Sequence, residues 1–458
     1  YLTPFPSLVE PMTQEYTYLP SSLESQKRAL EQLAEIRHHG RAFRFMRQDV
    51  MTGKWCLFNI QGMTGKPCQI DDPEAETCLI CNEPSSLAGC PFCAGDVASE
   101  DPDVKASIAD TGDILRFELA TDNKSSTDTA DEDGLVLAVP WSKAGGPDGQ
   151  RPWRLRVVRN IYPIMSVVRP YYTKDGNDGG FVEDHGMDIN PNPEHPWYPQ
   201  PSATGYNEVI VENPKHNTCM ALEDLLYTKL VLKAMLLRGR ELRHQPEVKY
   251  ITYFKQHKCG SLIHAHSQVI TTPCTPAAVE NVAMRCAHFH AHYGKCPVCA
   301  LLVKAPVARE GLARERLVLQ TEHFVVTVPF ASRSPYRLRI APRRHDKDFL
   351  NLSEAELVDL SGVLRRCCRL YYLRLQDVPF NLAVFTCPVD LTRREEAMYN
   401  DSFHWYMGLY PRKRWVTGGF DHATGIADMN VLPEVEASTM RAWIEEDMHA
   451  DIESVDLS

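Results

Sequence analysis

Residues 260–268 read Gly-Ser-Leu-Ile-His-Ala-His-Ser-Gln, and this stretch decides how the rest of the chain is interpreted. On a β-strand, residues two positions apart face the same side, so His264, His266 and Gln268 are expected to share one face. If a metal ion holds His264, the position of His266 is fixed as well. Gly260 and Ser261 offer close backbone approach and a hydroxyl donor, which a phosphate-binding loop needs. The stretch therefore predicts a histidine beside a phosphate site.

The chemistry of such a histidine follows from its neutral imidazole, which has a nucleophilic nitrogen at physiological pH. Attack by His266 on the α-phosphorus of a nucleotide anhydride would give a covalent nucleotidyl-imidazole and ping-pong kinetics. The Gln268 amide could donate to a phosphoryl oxygen as charge develops. Alternation of polar residues is also typical of an exposed strand, so this pattern indicates an active site only together with other motifs in the chain.

What surrounds it is an internal repeat. Each half of the chain offers a CxxC pair, then a histidine after a Pro-basic turn, and then a histidine that ends a β-rich segment. The first set is Cys90, Cys93, His216 and His264, and the second is Cys296, Cys299, His345 and His404. Where the first half has His266, the second has Tyr406, so only the first half is predicted to carry a nucleophile.

Two thiols and two imidazoles make a closed tetrahedral zinc site, so the repeat predicts one or two structural zinc ions per chain. The alternative is that the cysteines are buried small hydrophobic residues and the histidines satisfied core groups. Another CxxC pair, Cys78 and Cys81, lies outside the pattern. It either competes for the first site or takes no part in it.

Composition excludes several classes of function. The 458 residues carry a formal charge of −11, which argues against broad binding to nucleic acid or to anionic membranes. No apolar run is long enough to span a bilayer and no signal segment follows Tyr1. A cytoplasmic location is expected, or an organellar one if a targeting peptide precedes Tyr1.

The predicted fold class is α+β, because strand-like and helix-like segments mix without strict βαβ alternation. The chain is long enough for two domains. The first half is expected to contain an exposed acidic insertion and a Gly/Pro-rich loop. The predicted divisions are an N-terminal arm at 1–43, a first half at 44–290 with the insertion at 96–133 and the loop at 172–206, a second half at 291–445, and an acidic tail at 446–458.

With these residues in hand, the chain resembles the galactose-1-phosphate uridylyltransferase family of the histidine-triad superfamily, and especially its ADP-glucose phosphorylase-like branch. The resemblance runs discontinuously from about Arg44 to Trp443. Its pieces include segments 47–55, 90–95, 159–163, 208–216, 260–268, 328–335, 404–412 and 418–425.

The resemblance implies two tandem histidine-triad-like halves, each an antiparallel sheet flanked by helices, often in a homodimer. It implies an enzyme that transfers a nucleoside monophosphate between a nucleotide sugar and a hexose 1-phosphate or phosphate. His266 would be the nucleophile and Gln268 its phosphoryl partner, alongside the first set of zinc ligands. It further implies a phosphate contact for Arg47, a ribose contact for Asn160, and sugar recognition by Asp421 and Thr424.

Two departures from the family pattern support a second hypothesis. The segment before Gly260 is shorter than the family's phosphate loop, with bulky Lys258 expected to intrude, and residues 59–65 lack the family's basic stretch. The alternative is therefore a catalytically weakened or inactive member that serves as a zinc-stabilised structural or binding subunit of a larger assembly.

Overall fold

The computed structural model describes most of the chain from Phe43 to Val455. The described residues are 43–49, 51–60, 79–87, 90, 92–93, 113–119, 135–136, 153–160, 163–172, 178–183, 203–260, 262–300, 316–412 and 419–455. The predicted arm and Ser261 lie outside this part, and strand β1 begins at Phe43.

Sixteen strands are present among these residues. They are β1 (Phe43–Gln48), β2 (Trp55–Ile60), β3 (Asp113–Leu119), β4 (Leu135–Val136), β5 (Trp153–Arg159), β6 (Val168–Tyr172), β7 (Asp178–Glu183), β8 (Asn207–Val211), β9 (Tyr250–His257), β10 (His266–Thr272), β11 (Leu317–Gln320), β12 (Phe324–Thr327), β13 (Leu338–Pro342), β14 (Phe380–Phe385), β15 (Tyr406–Pro411) and β16 (Ala427–Met429). The described helices are α1 (Leu225–Leu242), α2 (Ala277–Tyr293), α3 (Glu354–Arg374), α4 (Arg393–Ser402), α5 (Gly419–Thr424) and α6 (Pro433–Val455).

Eleven strands form one antiparallel sheet in the order β11-β12-β13-β15-β14-β9-β10-β8-β5-β3-β4. The five strands β3, β5, β8, β9 and β10 lie in the spatial order β3-β5-β8-β10-β9. The five strands of the second half, β11 to β15, repeat that order as β11-β12-β13-β15-β14. The two halves meet where β9 pairs with β14. The predicted α+β fold of two tandem histidine-triad-like halves is thus confirmed, and the two sheets are continuous.

Each half places one long helix between its third and fourth strands. Helix α1 begins after Asp224, whose side chain accepts from the Tyr227 N–H at 2.9 Å, and α3 begins with a capping box formed by Ser353 and Glu356. Both helices pack on one face of the sheet, and their apolar residues form one core with inward residues of the strands. On the opposite face, residues of α2 and α4 form a second core with Val325, Ala341 and Tyr406 of the second half.

The predicted acidic insertion at 96–133 was wrong for residues 113–119. These residues form β3, which pairs with β5, and the Phe117 side chain is only 1% exposed. The acidic composition of the flanking residues suggested an exposed loop. Pairing with a neighbouring strand and burial of alternate residues stabilise a strand instead.

Two further boundaries differ from the sequence-based division. The loop expected at 172–206 contains β7, which forms a hairpin with β6, and the tail expected from 446 is helical as far as Val455 because α6 continues through it. The β1–β2 hairpin, which was assigned to the first half, pairs through β2 with β16 of the second half. Among the described residues, no helix combines the length and apolar character needed to cross a bilayer.

Candidate active site and metal centres

The first Cys-Cys-His-His set converges in space as predicted. One ligand atom from each of Cys90, Cys93, His216 and His264 lies within 4.8 Å of the others. Cys93 Sγ is 3.5 Å from His216 Nδ1 and 3.6 Å from His264 Nδ1. Tetrahedral zinc with ordinary Zn–S and Zn–N bonds places such atoms about 3.5 Å apart. The donor set and its spacing therefore fit a metal ion.

The His264 ring is oriented for this role by the backbone. Its Nε2–H donates to the Asn213 carbonyl at 2.7 Å, so the Nδ1 lone pair faces the thiols. Burial lowers the pKa of His264 to about 4, which keeps the imidazole neutral as a ligand must be. Burial also raises the pKa of the Cys90 thiol to about 11, so a nearby cation is needed to hold it as a thiolate.

The second set converges in the same way. Cys299 Sγ lies 3.3 Å from His345 Nδ1 and 3.6 Å from His404 Nδ1, and Cys296 Sγ lies 3.9 Å from His404 Nδ1. The other nitrogen of His404 donates to the Pro342 carbonyl at 2.9 Å. Hydrogen bonding within the thiol pair lowers the pKa of Cys299 and raises that of Cys296. Both predicted clusters could thus hold a metal ion.

The additional CxxC pair does not join the first cluster. Cys81 is exposed, and its sulfur accepts a hydrogen bond from the Tyr372 hydroxyl at 3.0 Å. Cys78 lies outside the described residues. Cys81 therefore takes no part in the first ligand cluster.

His266 is the first residue of β10, on the sheet face away from α1 and α3. Its Nδ1–H donates to the carbonyl of His264 at 2.8 Å, and this bond fixes the tautomer with the Nε2 lone pair unprotonated. The Phe92 ring lies 5.6 Å from the imidazole, between centroids. Burial lowers the pKa of His266, so the ring is neutral near pH 7. These features give an oriented, neutral imidazole.

Gly260 lies beside this ring. A Cβ at residue 260 would lie 3.9 Å from His266 Cε1 and 3.6 Å from the Gln256 side-chain oxygen. A side chain at residue 260 would therefore contact the Cε1 edge of the imidazole. The glycine leaves this edge uncovered, as expected for a loop that approaches a phosphate closely.

Gln268 follows on the same face and belongs to a chain of amides. Asn207 Nδ2 donates to Gln268 Oε1 at 3.3 Å, and Asn160 Nδ2 donates to Asn207 Oδ1 at 3.3 Å. With its oxygen occupied, Gln268 can present its NH₂ group as a donor. Sequence reasoning found Asn160 and Gln268 but missed Asn207, whose only signal is an asparagine at the start of a buried strand.

Lys258 does not intrude on the phosphate position, so that expectation was wrong. Its ammonium group lies 3.0 Å from Asp377 Oδ2, and Asp377 also bonds His257 Nε2 at 2.6 Å. A left-handed backbone at Lys258, with φ of 52°, accompanies this placement. The buried Asp377 carboxylate thus binds the lysine on the face of the sheet that α1 and α3 cover.

Three residues assigned through the family resemblance lie on other elements. Arg47 is on β1, opposite Cys56, and its side chain is not among those described. Asp421 and Thr424 are on α5, where Asp421 accepts from the Asp428 N–H at 3.2 Å and Thr424 donates to the Phe420 carbonyl at 2.7 Å. Their substrate contacts remain predictions.

The second half has a filled site where the first has His266. Tyr406 stacks on Phe385 with ring centroids 4.7 Å apart, and the Arg339 guanidinium lies 4.7 Å from the same Tyr406 ring. Arg339 in turn pairs with Asp49 at 3.1 Å. Among the described residues, Phe385 and Arg339 thus enclose the Tyr406 ring, which is only 3% exposed.

Comparison with known proteins identifies relatives of this chain. No family model matches the chain. ADP-glucose phosphorylase from Arabidopsis thaliana is 27% identical over 298 residues, which cover 64% of this chain and 76% of that protein. Galactose-1-phosphate uridylyltransferase from Thermotoga maritima is 30% identical over 214 residues, which cover 46% of this chain and 64% of that protein.

The chain is related to the galactose-1-phosphate uridylyltransferases.

Structural comparison gives the same fold. A crystal structure of the Arabidopsis ADP-glucose phosphorylase with bound ADP-glucose matches with a TM-score of 0.59 at 23% identity, covering 87% of this chain and 98% of that one. A galactose-1-phosphate uridylyltransferase-like protein from the same plant gives 0.57 at 22% identity, with the same coverage. The resemblance to the uridylyltransferase family and to its phosphorylase branch is thus confirmed. At 22–23% identity the structural matches establish the fold alone, so a reaction mechanism has to be argued from this chain's own site residues.

Proposed function

We propose that this chain is a nucleotidyltransferase that moves a nucleoside monophosphate between a nucleotide sugar and a hexose 1-phosphate or phosphate. The observation that carries the proposal is the 2.8 Å bond from His266 Nδ1–H to the His264 carbonyl, which leaves Nε2 as a nucleophile. The relatives named ADP-glucose phosphorylase and galactose-1-phosphate uridylyltransferase support the same reaction class here.

In the first step, His266 Nε2 attacks the α-phosphorus and a P–N bond forms. The P–O bond to the β-phosphoryl group breaks, and the hexose 1-phosphate leaves with the electron pair. In the second step, phosphate or another hexose 1-phosphate attacks the same phosphorus and the P–N bond breaks. Gln268 would donate its amide to a non-bridging oxygen in both steps, with the Asn207 amide holding its orientation.

We also propose that each Cys-Cys-His-His cluster binds zinc. A closed set of four protein ligands leaves no position for substrate, so the ion would neutralise the thiolates and fasten the surrounding loops together. In the first half this fixes His264, whose carbonyl holds the His266 ring. Zinc would therefore act on catalysis only through the position of these protein groups.

The test is a trapping experiment. The protein is incubated with ADP-glucose or UDP-glucose labelled at the α-phosphorus, quenched in alkali because phosphoramidates are acid-labile, and digested for mass spectrometry. The proposal predicts label on the peptide that contains His266, and none in His266→Ala. Tyr406→Phe is the matched control and should label like the wild-type protein.

The same experiment separates the two functions considered from sequence. A protein that neither labels nor exchanges hexose 1-phosphate across a panel of adenosine, uridine and guanosine sugars is not this enzyme. Stoichiometric recovery in a larger assembly would then favour the structural subunit. A cytoplasmic homodimer accompanies the enzymatic proposal, and native mass measurement together with cell fractionation checks both parts of it.

A further inference from the structure

A buried ion pair lies under the strand that carries His266. Lys255 Nζ is 2.9 Å from both carboxylate oxygens of Glu212, and the two side chains are 2% and 0% exposed. The pair lies on the face of the sheet that α1 and α3 cover, opposite the face that presents the His266 ring. It is therefore out of reach of any substrate bound at Nε2.

The pair nevertheless forms hydrogen bonds with the chain segment around His266. Lys255 Nζ donates to the His266 carbonyl at 3.3 Å, and the Ser267 hydroxyl donates to Glu212 Oε1 at 2.5 Å. The backbone N–H of Glu212 donates to the Ala265 carbonyl at 3.1 Å. Three successive residues of the nucleophile segment, 265 to 267, are thus tied to Glu212 or to its partner lysine.

A fourth element completes the network. The Tyr227 hydroxyl, from the first turn of α1, donates to Glu212 Oε2 at 3.2 Å. Glu212 therefore accepts hydrogen bonds from a strand, a neighbouring strand and a helix. Because its acceptor positions are occupied by donors from separate elements, the carboxylate cannot shift without moving β10.

The second half provides an internal comparison, because its ladder has the same register. Ser267 pairs with Lys255, and the corresponding pair on β15 and β14 is Met407 with Val384. In the same register, Glu212, which follows β8, corresponds to Pro342, the last residue of β13. Where the first half buries a serine, a lysine and a glutamate, the half without a nucleophile buries apolar residues.

This difference shows that the fold of one half can form without an ion pair at these positions. Removing two charges from water is unfavourable, and well-packed apolar replacements of buried ion pairs are often neutral or stabilising. The second half folds with apolar residues at these positions, and Val384 and Met407 are part of the buried core. The first half thus has charged side chains where the second half has apolar ones, and what distinguishes this network is its bonding to residues 265–267.

We propose that Glu212 and Lys255 are positioning residues that hold the start of β10 so that His266 Nε2 and Gln268 remain aligned with the phosphorus. The catalytic part of this proposal rests on the proposed nucleotidyl transfer. The positioning part concerns only the backbone at residues 264–268.

The test is the double variant Glu212→Gln with Lys255→Met, which removes both charges at similar volume. We expect the thermal midpoint to be kept or raised, as for other apolar replacements. We expect kcat for nucleotidyl exchange to fall about 100-fold with KM within about twofold, because misplacement by about 1 Å reduces rate on that scale. Amide exchange in peptide 264–268 should quicken about tenfold while peptide 404–408 is unchanged.

The matched control is another buried pair on β8 and α1. Arg238 bonds Glu208 through two contacts of 2.7 and 2.6 Å, with both side chains buried. Glu208→Gln with Arg238→Met removes a pair of the same kind three residues further along the β10 ladder. It should leave kcat and the exchange of peptide 264–268 within about twofold of wild type.

Several outcomes would overturn the proposal. One is an unchanged kcat with unchanged exchange at 264–268, and another is a loss of activity matched by faster exchange throughout the molecule. If the double variant does not fold, Ser267→Ala tests the proposal instead, because it removes the hydrogen bond from Ser267 to Glu212 and leaves the ion pair in place. A normal kcat and normal amide exchange at 264–268 in Ser267→Ala would also refute the proposal. If the wild-type protein turns over no nucleotide sugar, the proposed function fails, and the exchange data alone still decide the positioning.

Discussion

Asn207 donates its side-chain amide to Gln268 at 3.3 Å and thereby decides which end of the Gln268 amide is free. Loss of this bond in Asn207→Ala should let the Gln268 side chain rotate. We expect kcat to fall about tenfold, as for removal of an orienting partner. Gln268→Ala should lower kcat by about 100-fold or more, because it removes the donor itself. Steady-state kinetics with both variants checks the order, and an Asn207→Ala effect as large as that of Gln268→Ala would contradict a supporting role.

The two metal clusters should differ in their link to catalysis. Cys93→Ser and Cys296→Ser should each lower bound zinc from about two ions per chain to about one, by the four-ligand rule. Only Cys93→Ser should also lower kcat, because His264 holds His266 through its carbonyl. Elemental analysis and kinetics on both variants provide the measurement. Equal loss of activity in the two would show that zinc acts through stability of the whole chain.

Tyr406→His should not create a second nucleophile. The Phe385 ring and the Arg339 guanidinium cover this position, and the buried cation also disfavours any positive charge on an imidazole. We expect the double variant His266→Ala with Tyr406→His to remain unlabelled by a nucleotide sugar. Mass spectrometry of peptide 404–411 reports the result directly. Label at residue 406 would show that the second half retains a usable pocket.

Glu436, on α6, should make stability depend on pH. Its carboxylate is 3% exposed with no well-formed hydrogen bond among the described residues, and burial raises its pKa to about 8. The folded chain then keeps a proton that the unfolded chain has lost, so stability is full below about pH 4.5 and falls as pH rises towards 8. The slope in that window should reach about 1.4 kcal/mol per pH unit.

Glu436→Gln should remove this slope and stabilise the protein at pH 8. Urea unfolding at pH 5.5 and pH 8 measures the difference in unfolding free energy. Glu445→Gln, on an exposed position of the same helix, is the control and should leave the slope in place. An unchanged pH dependence in Glu436→Gln would show that this carboxyl is not protonated in the folded chain.

The parts of the site that sequence predicted are those with local or repeated signatures. The CxxC pairs, the histidines after each turn and the alternation of His264, His266 and Gln268 all follow from spacing along the chain. The α+β class followed from the mixture of strand-like and helix-like segments along the chain.

The parts that sequence missed depend on contacts between distant segments. Asn207 reaches Gln268, and Glu212 reaches Lys255, across neighbouring strands, and no spacing rule records such partners. Strand β3 was missed because its acidic flanks resemble a loop, although its pairing with β5 buries Phe117. Lys258 was misjudged because its partner, Asp377, is 119 residues away.

The joining of β9 to β14 also bears on solubility. Two separate sheets would expose four edge strands, and unpaired edges are templates for pairing with other chains. In the described part of the molecule, fusion removes the two inner edges and leaves β4 and β11 as the outer ones. These strands have two and four residues, too short to offer an incoming strand many hydrogen bonds. The joining of the two half-sheets thus also limits edge-to-edge aggregation.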